Sequence, residues 1–200
     1  MPDTRPVLVF ALLACLCLPA CSAAEPDAAR AEMIRLLQKA DPNFSHEIGL
    51  LGGFKNQTAY HTGIPVGAEV HKTRESAAYA LACLDVGGEW RKARAVRVLN
   101  ALFDLQDRDP ESPSCGVWPW YYEEPISRMK HPDPNWADFI GVQFVEIEDH
   151  HGDRLPPEVR ARLRESILLA ARAIVKRNVH PAYTNIAVMG TYVVTTAGRL

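Results

Sequence analysis

The chain has 200 residues, 48% of them hydrophobic and 23% charged, with a formal net charge of -2. That length can bury one substantial core, and the composition is that of a folded domain rather than a disordered chain. A near-neutral balance with no clustered basic run excludes a nucleic-acid surface, which needs a concentrated positive face.

The N-terminus reads as an export signal. Arg5 supplies a positive start, and residues 7–18 form an apolar run too short to span a bilayer as a stable helix. Residues 1–24 are therefore set apart as a signal peptide, leaving residues 25–200 as one domain. Leu18-Pro19-Ala20-Cys21 resembles a bacterial lipobox, which would make Cys21 the lipidated residue; cleavage near Ser22-Ala23-Ala24 is the alternative. The expected location is the periplasm, with a membrane reached only through such a lipid anchor, or else secretion. Cys15, Cys17 and Cys21 belong to the signal. Cys83 and Cys115 remain, and a disulfide between them competes with a buried free thiol at Cys83.

A short helix is expected over about 26–40, carrying Met33, Ile34 and Leu37 on one side and ending at Asp41-Pro42. Residues 43–72 show no sustained period and are punctuated by Gly49, Gly52, Gly53, Gly63, Pro65 and Gly67. They read as a long ordered connection, of the kind that lines a site. A buried helix follows over about 73–85, apolar nearly all round, and Gly87-Gly88 stops it. The next helix, about 89–105, sets Trp90, Ala93, Val96, Leu99, Asn100 and Phe103 against a water-facing row of arginines and a lysine. A segment over about 135–150 is apolar on two sides, Trp136, Ile140, Phe144 and Ile147 lying opposite Val142 and Val145. Pro156-Pro157 opens an amphipathic helix to about Arg177, with Val159, Leu163, Ile167, Ala170 and Ile174 inward. After Pro181 the stretch TNIAVMGTYVVTTA is apolar all round; its β-branched content leaves helix and strand both open.

This alternation of buried and amphipathic helices predicts an all-α fold of stacked antiparallel hairpins, (α/α) toroid-like but incomplete at about three hairpins. The long loops would open at one end.

Residues 115–141 concentrate the unusual chemistry. Trp118, Trp120 and Trp136 fall there with Tyr121 and Tyr122, interleaved with Glu123, Glu124, His131, Asp133 and Asp138. Aromatic plates beside carboxylates suit a sugar, whose ring offers apolar C–H faces to the plate and hydroxyls to the polar groups. The expected partner is an oligo- or polysaccharide. Glycoside hydrolysis usually needs two carboxyl groups about 5 to 9.5 Å apart. Glu123 and Glu124 are adjacent, so their side chains diverge; one of them with Asp138, near a helix start, is the better pair. Elimination from a uronate would instead use a tyrosine or histidine base and a polar group on the substrate carboxylate, for which Tyr183 and Asn185 with His61, His71 or His131 are candidates. The acids and histidines at 148–153 lack metal-ligand spacing and read as a solvated turn; no metal or cofactor is expected. His71, Arg74 and Glu75 read as a structural ion-pair group.

The segments HKTRESAAYALACLD from His71, WPWYYEEP from Trp118, PDPNWADFIG from Pro132 and PAYTNIAVMGTY from Pro181 resemble exported bacterial proteins of the six-hairpin glycosidase-like type, a toroid class that also houses heparinase-like polysaccharide lyases. The resemblance covers most of residues 43–200. It implies an (α/α) toroid and a carbohydrate ligand without fixing an activity; with the carboxylates above, a glycoside hydrolase is the leading expectation. A polysaccharide lyase acting on uronate-containing glycans and a non-catalytic carbohydrate-binding or scaffold protein are the alternatives, and the oligomeric state stays open.

Overall fold

In the computed structural model, which describes residues 26–200, the elements run α1 (Pro26–Ala40), β1 (Leu51–Lys55), β2 (Glu69–Lys72), α2 (Thr73–Val86), α3 (Glu89–Leu105), α4 (Asn135–His151), α5 (Pro157–Arg177) and α6 (Thr184–Ala197). The expected signal, the lipobox and Cys15, Cys17 and Cys21 lie outside the described residues. No helix among those described is long and apolar enough to cross a membrane.

The helix stops are chemical. Gly87 and Gly88 take φ of 80° and 95°, a region closed to most side chains, so α2 turns into α3 within two residues. α5 ends on Asn178 at φ 47°, the left-handed conformation that asparagine tolerates better than most residues.

α2 and α4 run parallel: Thr73 meets Trp136 at their starts, and Asp85 meets His151 at their ends. α4 and α6 are also parallel, since Gly190 packs on Asp138 near the start of α4 and Arg199, just past α6, meets Asp149 near the end of α4. α5 returns antiparallel between them, with Arg160 and Arg164 on Glu148 at one end and Arg177 on Asp138 at the other. α3 returns beside α2 and touches α5. Three parallel helices thus form a row, and α3 and α5 make the return layer.

The core lies between these layers. Ile140, Phe144 and Ile147 of α4, Leu99, Leu102 and Phe103 of α3 and Leu163 and Ile167 of α5 are fully buried. Each such side chain stabilises the fold by about 1.5–3 kcal/mol relative to exposure. The inward residues expected on α5 are all buried. On α3 the stripe is Ala95, Val98, Leu99, Leu102 and Phe103; Trp90 is instead 49% exposed, with the guanidinium groups of Arg91 and Arg94 against its ring.

Two expectations change. Residues 43–72 are not wholly irregular: β1 and β2 pair antiparallel, with Leu51 opposite Lys72 and Lys55 opposite Glu69, so the fold is mostly helical with a small sheet rather than all-α. The register is broken between Leu51 and Phe54, where Gly52 and Gly53 interrupt side-chain alternation. The last segment is a helix, α6, but it is buried on one side only. Ile186, Gly190, Val193, Thr196 and Ala197 are covered, while Val188 is 64% exposed. Gly190 is what lets α6 approach, because a Cβ there would lie 2.8 Å from Asp138 Oδ1 and 2.9 Å from Ile174.

Candidate functional site

The site is organised around Thr73, the first residue of α2. Its hydroxyl donates to the Pro119 carbonyl at 2.6 Å and accepts the Trp136 indole N–H at 3.1 Å, while its backbone N–H donates to the Trp120 carbonyl at 3.2 Å. One small β-branched side chain therefore ties together the start of α2, the loop at 118–121 and the first turn of α4. The consequence is a stack: the Trp120 and Trp136 rings lie 4.8 Å apart at 24°, both partly exposed.

The other long loop closes one side of this stack. His61 lies 4.9 Å from Trp120, and Tyr60 meets His61 edge-on at 4.2 Å. His61 Nδ1 is 2.5 Å from the His131 carbonyl, and the His131 N–H donates back to the His61 carbonyl at 3.3 Å. A carbonyl only accepts, so Nδ1 carries the proton and Nε2 of the neutral ring is the free acceptor. Asp133 Oδ2 stands 3.9 Å from that Nε2, beyond hydrogen-bond range, while Asp133 Oδ1 accepts the Asn135 N–H. The indole N–H of Trp120 is buried and has no acceptor among the described residues. On the far side Phe139 meets Trp136 edge-on at 5.5 Å, with Arg74 lying 3.8 Å over the Phe139 ring.

The three expected carboxylates are dispersed. Glu123 is bound to His71, accepting from its backbone N–H and, at 2.6 Å, from Nδ1. The His71 ring rests on Gly52, where any Cβ would come within 2.5 Å of Nε2. Glu124 is buried and accepts from the Thr62 hydroxyl and, at 2.8 Å, from the Gly63 N–H, so it latches the two loops together. Asp138 is fully buried against Arg177 and beneath Gly190 of α6. Burial pushes its carboxyl above the ordinary range, opposed by the Arg177 hydrogen bond and charge. Held in this way, neither Glu124 nor Asp138 opens onto the aromatic stack.

The remaining expected site residues also separate. Trp118 is core: its ring has no exposed surface, its N–H donates to the Leu102 carbonyl at 2.8 Å, and Phe144 packs edge-on against it. Tyr121 is buried, its hydroxyl donating to Asn56 Oδ1 at 3.1 Å, whereas Tyr122 is exposed. Tyr183 and Asn185 are exposed at the start of α6. The expected group at 71–75 resolves into His71 with Glu123 and Lys72 with Glu75, leaving Arg74 on Phe139. Thr73 and Phe139 gave no chemical signal in the sequence, and Asp133 could be read only as an acid just ahead of a helix.

The expected solvated turn at 148–153 is partly core. Glu148 is buried against Arg160 and Arg164, and His151 is buried with Nε2 2.7 Å from Asp85 Oδ1. Cys83 and Cys115 are both free thiols. Among the described residues no group of histidines, cysteines or acids is arranged to hold a metal ion. Cavities of about 560 Å³ beside α6 and about 500 Å³ at the Glu148 end lie away from the tryptophan stack.

A fold of parallel helices with returning partners, bearing an aromatic platform at the end where its long loops gather, is the class of protein defined so far. The chain belongs to the family of a domain of unknown function, DUF8769, which matches residues 40–200. No curated protein and no solved structure matches it.

Proposed function

We propose that this is an exported, toroid-like carbohydrate-binding protein whose Trp120–Trp136 platform receives a sugar ring. The stack carries the reading: two adjoining indoles, partly exposed at the loop end, are the kind of aromatic surface that a pyranose C–H face packs against. The toroid reading is supported by the parallel row α2, α4, α6 and its return helices α3 and α5, since stacked hairpins of this kind place all their inner helix starts at one end.

Binding has more support than hydrolysis. Glu123, Glu124 and Asp138 each already serve an internal partner, so a glycoside hydrolase would have to draw its acid pair from elsewhere. One observation favours a polysaccharide lyase as the second reading: His61 is held in the tautomer that leaves Nε2 free to accept a proton beside Trp120.

Calorimetric titration with a panel of soluble neutral and uronate-containing polysaccharides tests the proposal. Wild type should bind at least one of them, and Trp120→Ala should weaken that binding about tenfold or more. Binding unchanged in Trp120→Ala, or absent across the panel, sinks the reading. New reducing ends during incubation would indicate hydrolysis, and ultraviolet absorbance from a new double bond would indicate elimination.

A further inference from the structure

Arg74 is a cation at the platform's edge that no acid within the described residues engages. It is exposed in the first turn of α2, its guanidinium held 3.8 Å over Phe139, which in turn meets Trp136 edge-on. Among the described residues it makes no ion pair; Glu75, the acid beside it in sequence, is taken by Lys72 at 3.2 Å. A guanidinium held over an aromatic ring without an acid partner retains N–H donors for a ligand, and its planar fork matches a carboxylate or sulfate.

The acids around the platform each accept from an internal donor. Glu123 is held by His71, Glu124 by Thr62 and Gly63, Asp133 by the Asn135 N–H, and Asp138 by Arg177. Arg128, on the 126–131 loop, donates only to the Glu123 carbonyl, and Lys130 has no acid partner among the described residues. Glu123, Glu124 and Asp133 keep their charge while accepting these bonds, so what the rim offers a ligand is the unengaged N–H donors of Arg74 beside the tryptophan pair.

From this we infer that the platform selects glycans carrying an anionic substituent, with Arg74 as the specificity-determining residue. The inference rests on the carbohydrate reading above. A sugar ring lies on the tryptophan pair, and its carboxylate or sulfate reaches the guanidinium edge over Phe139. Lysine at this position keeps the charge but loses the fork.

The test compares three probes at low salt, polygalacturonate, dextran sulfate and neutral dextran, against wild type, Arg74→Ala and Arg74→Lys. Arg74 is exposed, so the variants are expected to fold; near-ultraviolet circular dichroism checks this. Wild type should bind at least one anionic polymer about tenfold or more tighter than dextran. Arg74→Ala should abolish that preference without changing dextran binding, and Arg74→Lys should restore part of it. Dependence confined to polygalacturonate identifies a uronate, and dependence confined to dextran sulfate identifies a sulfated sugar. A preference that survives Arg74→Ala, or no preference at all, overturns the inference. Failure of all three polymers to bind also overturns it, whereas the platform itself is judged by Trp120→Ala on the wider panel.

Discussion

Asp138, in the first turn of α4, and Arg177, in the last turn of α5, form an ion pair sealed inside the protein: Nη1 stands 2.9 Å from Oδ2, Nη2 donates to Oδ1 at 3.1 Å, and the carboxylate has no exposed surface. The acid is thus spent on joining two helices beneath a third.

Removing the cation shows what the pair does. Arg177→Met leaves a buried carboxylate without its partner and should cost about 3–5 kcal/mol at neutral pH. Burial already raises the Asp138 value above its ordinary 3.8, and loss of Arg177 raises it further. The folded state then binds a proton that the unfolded state releases. The associated stability is fully present below 3.8 and is lost as pH rises through the folded value. Urea unfolding across that interval should show the variant's deficit shrinking on acidification; a deficit independent of pH would contradict this account.

Gly116→Ala should be among the most disruptive methyl additions. Gly116 has φ 90°, and a Cβ there would lie 2.2 Å from the Leu169 carbonyl oxygen of α5. Both the backbone conformation and the close contact oppose a side chain, for a loss of about 2–4 kcal/mol. The denaturant midpoint reads it, and a midpoint equal to wild type refutes it.

Glu124→Gln keeps the shape of the latch while removing its charge. The Gly63 N–H would lose a charged acceptor, and the loop should loosen by about 1–3 kcal/mol. Hydrogen exchange at the Gly63 amide should quicken while amides within α4 keep their protection. Unchanged exchange at Gly63 would mean that the loop is held by other contacts.

Cys83 should resist alkylation in the native protein. Burial pushes its thiol up to about 11, so the reactive thiolate is scarce at neutral pH. The raised value contributes stability below the ordinary 9.0 that is lost as pH rises through about 11. Peptide mapping after iodoacetamide treatment should find Cys115 labelled before Cys83, with Cys83 catching up in denaturant; equal labelling of the native protein would be inconsistent with this packing.

The helices were legible because their signals are local. The period of α5 and its double proline marked that helix, and Gly87-Gly88 marked the α2–α3 turn. The hairpin of β1 and β2 was hidden because Gly52 and Gly53 carry no alternation, and its pairing joins Leu51 to Lys72 across a loop. The aromatic stretch was legible as a composition, but its division was not. Trp118 and Trp120 are two residues apart in near-identical surroundings, yet one donates to Leu102 in the core and the other stacks on Trp136.

What the chain determined by itself was roughly where the helices from α1 to α5 begin and end, the apolar face of α5, and which short stretch concentrates the aromatic and acidic residues, since these follow from torsional preferences and side-chain spacing within one segment. Tertiary structure alone decided that Glu124 latches loops, that Asp138 is sealed by Arg177 and that Trp120 stacks on Trp136 with Arg74 over the neighbouring Phe139. Those outcomes depend on burial and on partners far apart in sequence, and desolvation at a position is set by everything packed around it.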